Sequence, residues 1–274
     1  MTEQAKPPID PSDLARAIKS DELRLMYQPK IALHARSLTG VEALARWHHP
    51  DFGNIPPSDF IPVAEEHGLI DALTEWAVAT AAAAWVAWRG QGLITNIAVN
   101  FSALSLDRLE FPDIIQNICQ QQGMPCEHLV IELTETATSG QIELLDTMTR
   151  FRIKDFRISL DDFGTGYSSL VQILRAPFSE LKIDRSVVVD SDTSKDCRIM
   201  LKAIIDLAHN LDLPTVAEGV ETQAVATLLE QLGCDMAQGY FFSRPLPVDA
   251  VAEWAENFRL QQRVSTPTRR PPAP

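Results

Sequence analysis

Polar residues recur in this sequence inside short apolar runs rich in β-formers. Glu42 lies between Val41 and Ala43, Asn100 between Val99 and Phe101, Glu132 between Ile131 and Leu133, and Lys182 between Leu181 and Ile183. Asp161, Glu218 and Gln238 hold comparable places near the ends of three further runs. In a strand, side chains alternate between faces, so the apolar neighbours turn one way and the polar residue the other. A single buried acid is more often half of an ion pair than a ligand. Seven polar residues in phase are hard to explain as structure alone.

The composition of that set narrows the chemistry. Glu42, Glu132, Asp161, Asp162 and Glu218 would crowd five carboxylates around one lysine, Lys182, which is costly unless some acids stay protonated or cations neutralise them. Oxygen ligands with one amide, Asn100, suit hard cations such as Mg²⁺ or Mn²⁺. No Cys or His enters the set, which argues against a soft-metal site. The adjacent Asp161 and Asp162 could give one bridging carboxylate and one terminal ligand. Two metals about 3.5–4 Å apart would then fit a phosphodiester displacement.

The elements that must carry these residues form a repeating unit, a β-rich run followed by a helical stretch. The runs are Arg24–Leu33, Leu38–Ala45, Asn96–Phe101, His128–Thr134, Phe156–Asp162, Glu180–Asp184, Thr215–Gly219 and Met236–Phe242. Leu201, Ile204, Ile205, Ala208 and Leu211 make one helical stripe, and Val225, Leu228, Leu229 and Leu232 another. Residues 58–92 read as two helices split near Gly68. The first two runs are joined by too few residues for a parallel crossover, so that pair is expected to be antiparallel. Alternating elements of this kind predict an α/β fold, and eight strands in one domain favour a closed barrel over an open sheet. In such a barrel the polar set would point to the axis at the C-terminal mouth, where TIM-barrel enzymes place their chemistry.

The chain has 274 residues, 45% hydrophobic and 22% charged, with a formal net charge of −13. That balance fits a soluble globular domain and disfavours DNA or RNA polymers, which usually require a basic surface. The four cysteines form no Cys-x-x-Cys pair and are expected to be reduced, mostly buried thiols. The first residues lack the features of a signal peptide, and the apolar stretch from Trp76 to Trp88 is too short to span a bilayer. A cytoplasmic protein with no membrane association is expected. Residues 1–20 read as an N-terminal leader, 21–260 as one domain and 261–274 as a flexible tail, with Met1–Pro11 also expected to be flexible. Trp76, Trp85 and Trp88 have helical spacing and are expected in the core or at an interface. His48 and His49 are expected to be solvated side chains of a Pro-bounded loop.

An ordered series of motifs narrows the reading further. It comprises Glu42-Ala43-Leu44-Ala45-Arg46, Val99-Asn100-Phe101-Ser102, Glu132-Leu133-Thr134-Glu135, Asp161-Asp162-Phe163-Gly164-Thr165-Gly166, Leu181-Lys182-Ile183-Asp184, Ala217-Glu218-Gly219-Val220-Glu221 and Gln238-Gly239-Tyr240. From about Leu23 to Trp254 the chain resembles the EAL domain family of cyclic di-GMP phosphodiesterases. The resemblance implies a modified TIM (β/α)8 barrel with its first strand antiparallel to the rest. It also implies hydrolysis of one phosphodiester bond of cyclic di-GMP to linear pGpG, lowering this bacterial second messenger, with two Mg²⁺ or Mn²⁺ ions activating a water for in-line attack.

By the same resemblance, Glu42, Asn100, Glu132 and Asp161 would hold one metal, and Asp161, Asp162 and Glu218 the second. Lys182 would orient or help deprotonate the attacking water, Glu221 would orient the site from behind, and Gln238 would support water or substrate. Arg46 would contact phosphate, Gln28 would lie near a guanine, and Asp184 would join the substrate contacts. The loop of Phe163, Gly164, Thr165 and Gly166, held by Glu135, would close on the site and couple it to a homodimer interface. Intact acids and loop favour catalysis over a receptor that binds without turnover, and the full motif set with Arg46 favours the cyclic dinucleotide over another phosphate ester. The family often has Lys where Arg244 stands and Leu where Ala45 stands; neither change removes a ligand. No sensory module fits in the short N-terminal segment, so the chain is expected to act alone or under a regulatory partner in trans.

Overall fold

A computed structural model describes residues 9–134, 142–165 and 170–265. The strands are β1 (Leu23–Ala32), β2 (Ser37–His49), β3 (Gly53–Ile55), β4 (Asn96–Asn100), β5 (Leu129–Thr134), β6 (Arg157–Phe163), β7 (Glu180–Ile183), β8 (Thr215–Ala217) and β9 (Met236–Ala237). From β2 through β4 to β9, neighbours in the ring pair parallel in chain order. β1 pairs antiparallel with both β2 and β9 and so closes the ring. β3 is an extra strand on the far side of β2, leaving eight of the nine strands among the described residues in the barrel. The chain is therefore the α/β barrel with an antiparallel first strand that the sequence predicts.

Helix α1 (Pro11–Ala17) precedes β1 and α11 (Val248–Ser265) follows β9, while α2 (Pro57–Glu66), α3 (Ile70–Gly90), α4 (Ala103–Leu106), α5 (Phe111–Gln122), α6 (Ile142–Ile153), α7 (Leu170–Arg175), α8 (Arg185–Val188), α9 (Lys195–Asn210) and α10 (Gln223–Leu232) fill the crossovers. The apolar flanks of the polar set, Val41, Ala43, Ile131, Leu133, Leu181 and Ile183, all lie in the large hydrophobic core. Burying each of the Val, Leu and Ile side chains stabilises the fold by about 1.5–3 kcal/mol. Trp85 and Trp88 are buried in that core, their indole N–H groups donating to the carbonyls of Thr95 at 2.8 Å and Val248 at 2.9 Å. The four cysteines are free, Cys119 and Cys234 buried and the other two partly so. Among the described residues no helix is long and apolar enough to cross a membrane.

The described residues differ locally from the sequence reading in four places. The run from Met236 to Phe242 stops being a strand after Ala237. At Gly239 the chain presses against Val220, so closely that a Cβ there would lie 2.1 Å from the Val220 carbonyl oxygen. Hydrogen bonds from Phe241 to Val220 and from Ser243 to Gly239 curl the segment.

β2 continues past Ala45 to His49, because its far end pairs with β3. His49 is therefore not a solvated loop residue. It is 2% exposed, accepts backbone N–H bonds from Asp51 and Phe52 at Nδ1, and stacks on Phe52.

The third difference is α1, capped by Asp10, whose carboxylate accepts the Ser12 N–H. Leu14 and Ala17 bury fully in a second small core with Leu23, Trp47, Ile55 and Phe60. At the other end, α11 continues to Ser265, beyond the expected start of the tail.

Candidate active site

β2, β4, β5, β6 and β7 bring Glu42, Asn100, Glu132, Asp161 and Lys182 to one end of the barrel, and Glu218 and Gln238 stand immediately after β8 and β9. Lys182 is their centre. Its Nζ lies 2.6 Å from Glu218, 2.9 Å from Asp161, 3.2 Å from Glu132 and 3.6 Å from Glu42, and the residue is 1% exposed. Asn100 donates to one oxygen of Glu42 at 3.0 Å and Gln238 to the other at 2.6 Å. The Gln238 amide nitrogen also reaches Gln28 Oε1 at 3.2 Å, and Gln28 in turn donates to the Ser243 carbonyl.

The adjacent aspartates reach the same place through a backbone irregularity. The β6–β7 register shifts between Leu160 and Phe163, and Asp162 has φ +56°, in the left-handed region that Asp tolerates better than most residues. Without this bulge, alternation would send Asp161 and Asp162 to opposite faces of the sheet. With it, ligand oxygens of Asp161, Asp162 and Glu218 all lie within 4.8 Å of one another.

The charge balance is strained. Burial pushes Glu132 up to about 8, outweighing the downward pull of Lys182 and Lys30. Burial likewise raises Glu218 to about 7 and raises Asp162. Glu42 is also buried, but Lys182 and the hydrogen bonds from Gln238 and Asn100 hold it down at about 2. Lys182 is held well above the ordinary lysine value, because four carboxylates outweigh its own desolvation.

One atom tests whether cations fit here. Glu132 Oε2 is buried without a hydrogen-bond partner; its approach to Lys182 is close but poorly directed. An orphaned carboxylate oxygen beside three further acids is the donor chemistry of Mg²⁺ or Mn²⁺. The residues fit such ions.

The sequence reading missed two members of this network. Lys30 on β1 donates to Glu132 at 2.9 Å and to Glu180 at 2.8 Å, so the acids surround two lysines rather than one. The signal was available: Lys30 is in phase with Gln28 along β1, and Glu180 with Lys182 along β7.

Other expected site residues lie further out. Arg46 borders a cleft of about 630 Å³ beside Asn100, walled by Leu44, Pro57, Ile61 and Leu104. Asp184 caps α8 through the Ser186 N–H. Glu221 is bound by Arg185 at 2.7 Å, with both side chains exposed. Phe163 is buried, the Thr165 hydroxyl donates to the Asp162 carbonyl, and Gly164, with φ +108°, faces Val187 on α8 and Met200 on α9. Glu135 and Gly166 fall outside the described residues.

The chain is similar to curated proteins of Pseudomonas aeruginosa. It is 40% identical over 239 residues to the bifunctional diguanylate cyclase/cyclic di-GMP phosphodiesterase MucR, covering 86% of this chain and 35% of that protein. It is 38% identical over 250 residues to the cyclic di-GMP phosphodiesterase NbdA, covering 90% and 32%. The chain thus spans about a third of the length of the curated relatives it matches. Its fold superposes on a solved structure described as the PaMucR phosphodiesterase in complex with c-di-GMP, with a TM-score of 0.82, 38% identity and coverage of 88% of this chain and 98% of that one. With the family's sequence pattern, described as the EAL domain, matching residues 12–245, the chain belongs to the EAL domain family.

Proposed function

We propose that this chain hydrolyses one phosphodiester bond of cyclic di-GMP to give linear pGpG. The observation that carries this reading is the ring of Glu42, Glu132, Asp161 and Glu218 around Lys182, with an orphaned Glu132 oxygen inside it. The relatives named for cyclic di-GMP chemistry support the choice of substrate. Two Mg²⁺ or Mn²⁺ ions held by Glu42, Asn100, Glu132, Asp161, Asp162 and Glu218 would supply a water of lowered pKa and neutralise charge on the phosphoryl oxygens.

The protein's own groups do the rest. Lys182 holds a proton and a positive charge beside the reacting phosphate, where charge develops in the transition state. Gln238 fixes Glu42 and, through Gln28, links it to the strand that closes the barrel. Arg46 at the edge of the cleft provides a cation for a phosphate, and the apolar walls suit a purine. Glu221, bound to Arg185, would act only indirectly, by setting the segment after Glu218.

The test is incubation with cyclic di-GMP and Mg²⁺ or Mn²⁺, with products separated by chromatography. Metal-dependent pGpG is expected, falling about 10²-fold or more in Glu42→Ala. Tight nucleotide binding without product would instead favour a receptor.

A homodimer belongs to the same proposal. Leu174 on α7 and Ile199 and Met200 on α9 are large exposed apolar side chains, and Gly164, just after the paired aspartates, faces Met200. Light scattering is expected to give about twice the 30.4 kDa chain mass. Ile199→Asp should shift it toward one chain; an unchanged mass would remove α9 from the interface.

A further inference from the structure

We propose that Lys30 is a positioning residue for the metal-dependent reaction, fixing one oxygen of Glu132 so that the other is presented to a divalent cation. The inference rests on reading the acidic ring as a metal centre. Lys30 lies on β1, 3% exposed, and its side chain reaches across to Glu132 on β5 and Glu180 on β7. Its Nζ holds Glu132 Oε1 at 2.9 Å, and Glu180 holds the same Nζ at 2.8 Å. Glu132 Oε2 is the oxygen left without a hydrogen bond.

The terminal torsion of a glutamate is broad and roughly two-fold, so an unanchored carboxylate would share its oxygens among several orientations. A lysine locked on one oxygen removes that freedom. Glu180 in turn locks the lysine, which is the arrangement by which outer partners orient a metal ligand. Lys30 does not border the cleft beside Asn100. It lines a separate cavity of about 310 Å³, with Thr39, Asn96, Arg157 and Glu180. Its effect therefore passes through Glu132 and not through contact with substrate.

The experiment is a titration of the full chain with Mn²⁺ alone, free Mn²⁺ being read by electron paramagnetic resonance and folding by circular dichroism. Lys30→Met is expected to raise the half-saturating Mn²⁺ concentration by about 10–100-fold. In a Glu132→Gln background the same substitution should change it no further, because the ligand through which Lys30 acts is already lost. A merely structural lysine would lower the melting temperature of Lys30→Met and leave the Mn²⁺ titration unmoved, which would overturn the proposal. If Lys30→Met does not fold, Lys30→Met/Glu180→Gln removes the opposing charge as well and carries the same titration. Failure of both to fold would assign Lys30 to stability and also overturn the proposal. Wild-type protein that binds no Mn²⁺ would defeat the metal-centre reading itself, a result distinct from wild-type binding that Lys30→Met leaves unchanged.

Discussion

Lys182→Met is expected to lower turnover of cyclic di-GMP by about 10²–10³-fold while tightening the binding of Mn²⁺ to the resting protein. The opposite signs follow from one geometry. The ammonium lies between 2.6 and 3.6 Å from four carboxylates, so it neutralises the acids that cations would neutralise. Cations must compete with it for the same oxygens, and removing it leaves those oxygens available. On the proposed mechanism the same charge would face the phosphoryl group in the transition state, and no methionine would replace it. The metal-free variant should also lose about 3–5 kcal/mol of stability, the usual consequence of removing one partner from a buried ion pair, and Mn²⁺ should restore much of it. Single-turnover rates, Mn²⁺ titration and denaturant midpoints with and without metal check all three. If Mn²⁺ binding weakened together with turnover, Lys182 would be assembling the site, and the competition between ammonium and cations would be wrong.

The sequence revealed the ring because each member interrupts an apolar run, and a strand of period two makes that interruption directional. The gathering of Glu42, Glu132, Asp161 and Glu218 around Lys182 follows from that rule applied strand by strand, whereas closure of the barrel follows from the count of eight strands and the antiparallel first pair from its short connection. What the rule could not show were departures from it. Nothing in the pair Asp161-Asp162 announces a bulge with a left-handed residue, although a shared site for two consecutive side chains requires one. The shortness of β9 depends on contact between Gly239 and Val220, residues far apart along the chain. His49 is buried because β2 finds a short partner, β3, whose three residues are too few to give a periodic signal. Glu180 opens its run, where a charged residue looks like a boundary, and Lys30 lies inside the first run, which carries no member of the lysine-centred ring.

Raising the pH from about 6 to 8 is expected to weaken the metal-free fold and strengthen metal binding at the same time. Glu132 stands at about 8 and Glu218 at about 7, both above an ordinary carboxyl value of 4.5, because burial disfavours their charged forms. Between the ordinary and the raised values the folded chain holds protons that the unfolded chain has released. Stability from these two groups is therefore greatest at low pH and declines as pH rises through 7 and 8, by up to about 1.4 kcal/mol per pH unit for each proton. Glu42 and Glu180 are shifted down, so their contributions are complete above about pH 5 and add no slope in this window. His128, lowered by burial, acts with the opposite sign, whereas Asp162, raised by burial, acts with the same sign as the two glutamates. Cations require the ionised acids, so below pH 7 their apparent affinity should fall by about tenfold per pH unit for each proton displaced. Denaturant midpoints in EDTA at pH 6 and 8, with and without Mn²⁺, measure both effects, and Glu132→Gln should flatten the metal-free slope. A metal-free midpoint that rose with pH would mean that Glu132 and Glu218 are already ionised, their charges met by Lys30 and Lys182 without any cation.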